Sequence, residues 1–152
     1  MKQFEFRLQK VMETTRAREE LQKKELAVAL GELARGEALL EQMIGRLEEE
    51  LERFRGRRGT GSVKVSTFVQ YASYTDGLLS EINRQRGEIE KLARLADEHR
   101  EKLIEITRDK KILEKLKEKR FEEYRRKLRQ VEQKFMDEIS SRNFHNGMSE
   151  NN

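Results

Sequence analysis

The side chains best suited to acid–base or metal chemistry are two histidines, His99 and His145, set among 29 carboxylates and no cysteine. A structural zinc site needs four closely spaced nitrogen or sulfur ligands, and a catalytic one needs three plus an open position. Neither set is present. His99 lies in an apolar row between Ala96 and Leu103, where a polar residue sets helix register at some cost in stability. Gln85 and Lys110 interrupt the same row. The carboxylates have no nucleophile elbow or enclosed pocket to work with, as acid–base catalysis would require. The residues therefore predict a noncatalytic protein with no metal, no cofactor and no small-molecule substrate.

Two further motifs invite chemistry and fall short of it. The stretch 56–62, GRRGTGS, has glycines beside basic residues, as phosphate-binding loops do. It lacks the spacer before Gly-Lys-Ser/Thr and the preceding strand that would aim backbone N–H groups at a phosphate. It reads as a solvated turn. Arg125-Arg126-Lys127 could meet phosphates, in keeping with a pI near 9.3. Glu122 and Glu123 precede that run, and neither an aromatic platform nor a groove-reading motif accompanies it, so no nucleic-acid partner is expected.

The elements behind these residues are two apolar stripes. Leu26, Leu30, Leu33, Leu40, Ile44, Leu47, Leu51 and Phe54 form the first. Ile82, Ile89, Leu92, Ala96, Leu103, Ile106 and Leu113, then Tyr124, Leu128, Val131, Phe135 and Ile139, form the second. Steps near three and four are those of a left-handed coiled coil. A single glycine-rich break permits one reversal, so the expected fold is all-α: two long helices in an antiparallel coiled-coil hairpin. The spacing predicts helix 1 over about 4–55, a turn over 56–66 and helix 2 over about 67–142, as a single domain. Residues 143–152 read as a disordered tail. Thr67 and Gln70 form a candidate capping box. The early apolar positions Phe4, Leu8, Val11, Ala17, Leu21 and Val28 are ragged and predict a phase slip in helix 1. Gly31, Gly36 and Gly45 lie inside this helix and read as close packing or simple tolerance, with local flexibility as the alternative. Asp76-Gly77 keeps helical spacing around it and is read through.

Charged residues make up 41% of the chain, and there is no proline or tryptophan, as expected of long helices. The opening MKQFEFRLQKVMETT is unlike a signal peptide, because charges interrupt its apolar runs. No stretch reaches the ~20 apolar residues that cross a bilayer. Absence of cysteine fits the cytoplasm.

Helix 2 is predicted to be the longer, ~110 Å against ~75 Å at the α-helical rise. With Phe54 beside Phe68, residue 4 falls near residue 118. Beyond that, Phe121, Tyr124, Leu128, Val131, Phe135 and Ile139 have no partner on helix 1. Segment 108–129 carries an excess of +6, segment 1–25 one of +2 and segment 37–53 one of −4. The expected hairpin thus has a basic terminal end with an unpaired apolar stripe, suited to docking on an acidic protein surface, with self-association through the stripe and an ordinary solvated face of uneven charge as the alternatives.

At this point the chain resembles a known family. Phe4-x-Phe6-Arg7-Leu8-x-x-Val11, Tyr71 and Tyr74, the stretch Leu113–Lys119, Tyr124, Glu132-Gln133-Lys134 and Asp137-Glu138 are similar to the flagellar FliJ family, over nearly the whole length. That resemblance implies a stalk-like component of flagellar type III protein export, similar to the coiled-coil stalk of rotary ATPases. Implied partners are the hexameric export ATPase, whose assembly and activity it promotes, the cytoplasmic part of the export gate, and export chaperones. The implied location is cytoplasmic, peripheral at the inner membrane.

Combining the resemblance with the unpaired stripe puts the ATPase contact on Arg120, Tyr124, Arg125, Leu128, Val131, Lys134 and Phe135. Matching elements one by one puts the export-gate patch on Met43, Leu47, Phe54, Tyr74 and Leu78. The family's pattern has an aromatic where this chain has Glu50, and small or polar positions where it has Glu81 and Gln85. A structural coiled-coil scaffold and an injectisome stalk homologue are the alternative readings.

Overall fold

The structure is a computed structural model and describes residues 2–59, 61 and 64–149. It is all-α among those residues: helix α1 spans Gln9–Gly59 and the longer α2 spans Val65–Ser149. The helices run antiparallel, as the apolar pattern predicts. The chain divides into two compact units, one of residues 1–18 with 106–152 and one of residues 19–105.

Helix α1 starts later than the sequence predicts. Phe4, Phe6 and Leu8 alternate at the strand-like period of two, and residues 2–6 take no regular structure. The Gln9 amide donates to the Phe6 carbonyl (3.0 Å) and the Met12 amide to Leu8 (2.9 Å), which opens the helix. α1 then runs past Gly56, and the turn is shorter than expected. Gly61, at φ 79°, takes a left-handed conformation that costs glycine little. Residues 60, 62 and 63 of the expected turn lie outside the described residues.

Helix α2 starts at Val65, where the Phe68 amide donates to the Lys64 carbonyl (3.1 Å). Thr67 and Gln70 are therefore already helical, so the capping box expected there does not form. α2 runs through Asp76-Gly77, and the Thr75 hydroxyl bonds back to the Tyr71 and Ala72 carbonyls (both 3.0 Å). It also continues beyond Arg142, and residues 143–149 of the expected disordered tail are helical. Their side chains through 148 are exposed. With no proline in the segment, the helix keeps its internal hydrogen bonds. Residues 150–152 of that tail lie outside the described residues.

In the unit of residues 19–105, covered positions on α1 step 22, 26, 29, 33, 36, 40, 43, 47, 50, 54, and those on α2 step 71, 75, 78, 82, 85, 89, 92, 96, 99, 103. Alternation of three and four is unbroken on both. On α1 it extends back through Glu19, Thr15 and Met12, so no phase slip occurs. The early pattern looked ragged because polar residues occupy seam positions, while Val11, Leu21 and Val28 face solvent.

Ala29, Leu78, Ile82 and Ala96 are buried. At Gly36 an added Cβ would lie 3.3 Å from Leu92 Cδ1, and the Gln85 amide donates to the Gly36 carbonyl (3.0 Å). Gly36 is therefore a close-packing residue. Gly31 and Gly45 are not, since nothing lies within 4 Å of a Cβ built at either. Gln22 Nε2 contacts His99 Nδ1 (2.9 Å) and the His99 carbonyl (3.1 Å). Near the turn, Phe54 stacks on Tyr71 with ring centroids 3.9 Å apart.

In the unit of residues 1–18 and 106–152, Met12 is fully buried and Thr15 is buried beside it, its hydroxyl bonded to the Val11 carbonyl (2.8 Å). Lys117 donates to the Gln9 side chain (2.9 Å), and Arg16 pairs with Glu114 (3.6 Å).

Candidate functional interfaces

Segment 2–8 lies against helix α2 through one aromatic cluster. The Phe4 ring centroid is 5.2 Å from that of Phe121, edge-on, and 5.6 Å from that of Tyr124. The Tyr124 hydroxyl donates to the Lys2 carbonyl (3.1 Å). Phe4 thus reaches Phe121 and Tyr124, further along α2 than the expected residue 118. Leu128 is half-buried, and every described side chain from Arg129 through Met148 is exposed. The run Tyr124, Leu128, Val131, Phe135, Ile139 keeps one face of α2, and its exposed part includes Val131 at 52% and Phe135 at 62%. An apolar row of this kind with no covering element marks an interaction surface.

Basic side chains flank that face. Arg120 is exposed and ion-paired to Glu123 one turn on (3.2 Å). The Arg125 guanidinium sits 5.9 Å from the Phe121 ring centroid, in cation–π range. Lys134 is exposed one residue before Phe135. Of the seven residues expected at an ATPase contact, Arg120, Arg125, Val131, Lys134 and Phe135 are exposed, Leu128 is half-buried, and Tyr124 is half-covered by segment 2–8. Sequence reasoning missed Phe4 as the cover. The period-two spacing of Phe4, Phe6 and Leu8 was the signal that these residues leave the helix. It also missed Met136, Phe144 and Met148, which are exposed on other faces of the same segment.

The five residues expected at an export-gate patch separate differently. Tyr74 is 47% exposed. Met43, Leu47 and Phe54 are half-buried seam positions, and Leu78 is buried at 6%. Of the five, only Tyr74 is exposed, and about half of it is covered. Glu50 is a half-buried seam position paired with Arg53 (3.0 Å). The unbroken heptad places Ile44 and Leu51 on α1, and Ala72 and Leu79 on α2, just beside the seam. Leu51 and Leu79 are exposed. A residue directly after a seam position that is itself apolar is the pattern that could have found them.

Among the described residues, no group of three or more His, Asp or Glu side chains is gathered to hold a metal. None of their helices is long and apolar enough to cross a membrane.

A family model described as Flagellar FliJ protein matches residues 4–149. The chain belongs to the FliJ family. Against curated proteins and solved structures it finds no match. FliJ membership makes this a component related to flagellar protein export, in a family of noncatalytic components. The exposed α2 face lies within the matched span.

Proposed function

We propose that this FliJ-family chain is the noncatalytic, stalk-like factor of flagellar type III export, which binds the hexameric export ATPase and promotes its assembly and activity. ATP hydrolysis belongs entirely to the partner. The observation that carries this reading is the uncovered face Val131, Phe135, Ile139, flanked by Arg125 and Lys134, on a helix that continues well beyond its last cross-helix contact. An apolar strip between cations fits an apolar opening with an acidic rim. In this reading the basic end of α2 enters the central opening of the ATPase ring. Arg120, Tyr124, Arg125, Leu128, Val131, Lys134 and Phe135 form its contact.

The same reading gives the cytoplasmic part of the export gate a contact centred on Tyr74. Leu51 and Leu79 are additional exposed apolar residues on that unit. Met43, Leu47, Phe54 and Leu78 shape the patch from the seam beneath it. Export chaperones complete the set of partners, and the chain works in the cytoplasm at the face of the inner membrane, held there by protein contacts.

The test is ATP hydrolysis by the cognate export ATPase with wild-type protein and with Val131→Asp/Phe135→Asp. Circular dichroism checks that helicity is kept. Each buried large apolar side chain is worth ~1.5–3 kcal/mol, so with both residues buried on binding the double variant should need at least about a hundredfold more protein for half-stimulation. Equal stimulation by the variant would remove the exposed face from the interface. No stimulation by the wild type, and no effect on ring assembly, would overturn the stalk reading.

A further inference from the structure

Segment 2–8 covers the start of the apolar row whose continuation is exposed. It does so with little to hold it. None of its side chains is buried, and only Phe4 and Phe6 are partly covered. Among the described residues, its hydrogen bond to α2 is the one from the Tyr124 hydroxyl to the Lys2 carbonyl. Open hollows lie on both sides of Phe4: one of about 440 Å³, also lined by Met12, Arg16 and Phe121, and one of about 660 Å³, also lined by Phe6, Arg7 and Lys10. A segment with few buried contacts and no ladder of backbone bonds sits at the low end of local stability and opens without unfolding its neighbours.

We infer that residues 2–8 are a displaceable strap. Closed, Phe4 occupies the Phe121–Tyr124 face. Open, it uncovers that face and lengthens the exposed row to Phe121, Tyr124, Leu128, Val131, Phe135, Ile139. Seam positions carry the continuity: Phe121, Tyr124, Leu128, Val131 and Phe135 step three, four, three, four along one face. The occupant that displaces the strap is the partner bound on the exposed part of the row, so the inference rests on the ATPase reading above. A partner needing the full row binds only the open fraction, and its apparent affinity is reduced by that fraction. The strap thereby sets the threshold of binding without touching the chemistry.

Two measurements test this, one of them independent of any partner. Trypsin added to the native protein should cleave after Arg7 at least tenfold faster than at Arg16 or Arg18 in the folded helix, since cleavage follows local opening. Protection at Arg7 equal to that of the helix would overturn the strap whatever the partner does.

The second measurement is affinity for the export ATPase. Phe4→Ser, which releases the strap, should bind roughly three- to tenfold more tightly than wild type. The chain has no cysteine, so Phe4→Cys/Phe121→Cys can be joined by a short thiol cross-linker. The joined form should bind several-fold more weakly than the same variant left unjoined. Unchanged or weaker binding by Phe4→Ser, or equal binding by joined and unjoined forms, would show that the strap does not compete. Failure of every form to bind would instead count against the ATPase reading, and rapid cleavage after Arg7 would leave the strap standing as a mobile element.

Discussion

Gln22 and His99 show how a polar pair serves a thin apolar seam. The Gln22 amide reaches both the ring nitrogen and the carbonyl of His99 from the facing helix. Only one register of the two helices brings these groups together, so the pair penalises slippage that a purely apolar seam would tolerate. Gln85 on the Gly36 carbonyl repeats the device one stretch along. Replacing Gln22 with Ala removes two hydrogen bonds and leaves half-buried acceptors on His99 without their donor. Such a loss costs about 1–3 kcal/mol. The expected outcome is a lower urea midpoint with unchanged slope. A shift below about 0.5 kcal/mol would mean that water replaces the amide without penalty. Ion pairs matter less at this scale. Lys23 bonds Glu20 and Glu19, and these carboxylates raise its pKa above the ordinary lysine value, but the group is exposed to solvent, which screens the pairs.

At the scale of the helices, glycine separates packing from propensity. Gly36 faces Leu92 and Ile89 at contact distance, whereas Gly31 meets nothing within 4 Å. Gly31→Ala should therefore stabilise the protein by about 1 kcal/mol, the ordinary helix-interior difference. Gly36→Leu should destabilise it by about 1–3 kcal/mol, because the added methylenes have no room. Thermal melts of the two variants should move in opposite directions, and movement in the same direction would mean that Gly36 packs more loosely than its neighbours indicate.

The same elements explain what could be read from the sequence. Runs such as Ile82, Ile89, Leu92, Ala96 carry the heptad in their own hydrophobicity, so the antiparallel pair and the seam position of His99 were legible. Thr15, Glu19 and Gln22 hold seam positions without being apolar, and they hid the continuity of α1. Helix ends were harder for a related reason. With no proline and few strong caps, local composition barely opposes one more turn, and α2 runs to Ser149. At the candidate interfaces, exposure of the Val131–Ile139 row followed from counting residues on each helix. The cover that Phe4 places on Tyr124 did not, because it depends on where a non-helical segment folds back.

Across the whole molecule, charge is distributed more tellingly than its net value of +4. Segment 108–129 carries +6 and holds Arg120 and Arg125 beside the aromatic cluster, while segment 37–53 carries −4. Buried apolar residues are few: Met12, Ala29, Leu78, Ile82 and Ala96 among those described. A molecule that buries so little has most of its side chains available for partners, and long-range charge then decides which surface a partner meets first. Association with an acidic-rimmed partner should weaken as salt rises, because exposed charges are screened within about 10 Å at ~0.1 M and more sharply above it. If the proposed complex with the export ATPase forms as argued above, its affinity should fall about tenfold between roughly 50 and 300 mM salt, mostly through a slower association rate. Arg125→Glu/Lys127→Glu should flatten that dependence, whereas Phe135→Asp should weaken binding while leaving much of the dependence in place. An affinity indifferent to salt would assign the contact to the apolar row alone. It would leave the basic segment as a solvated helix face, with the proposed docking guided by shape rather than by charge.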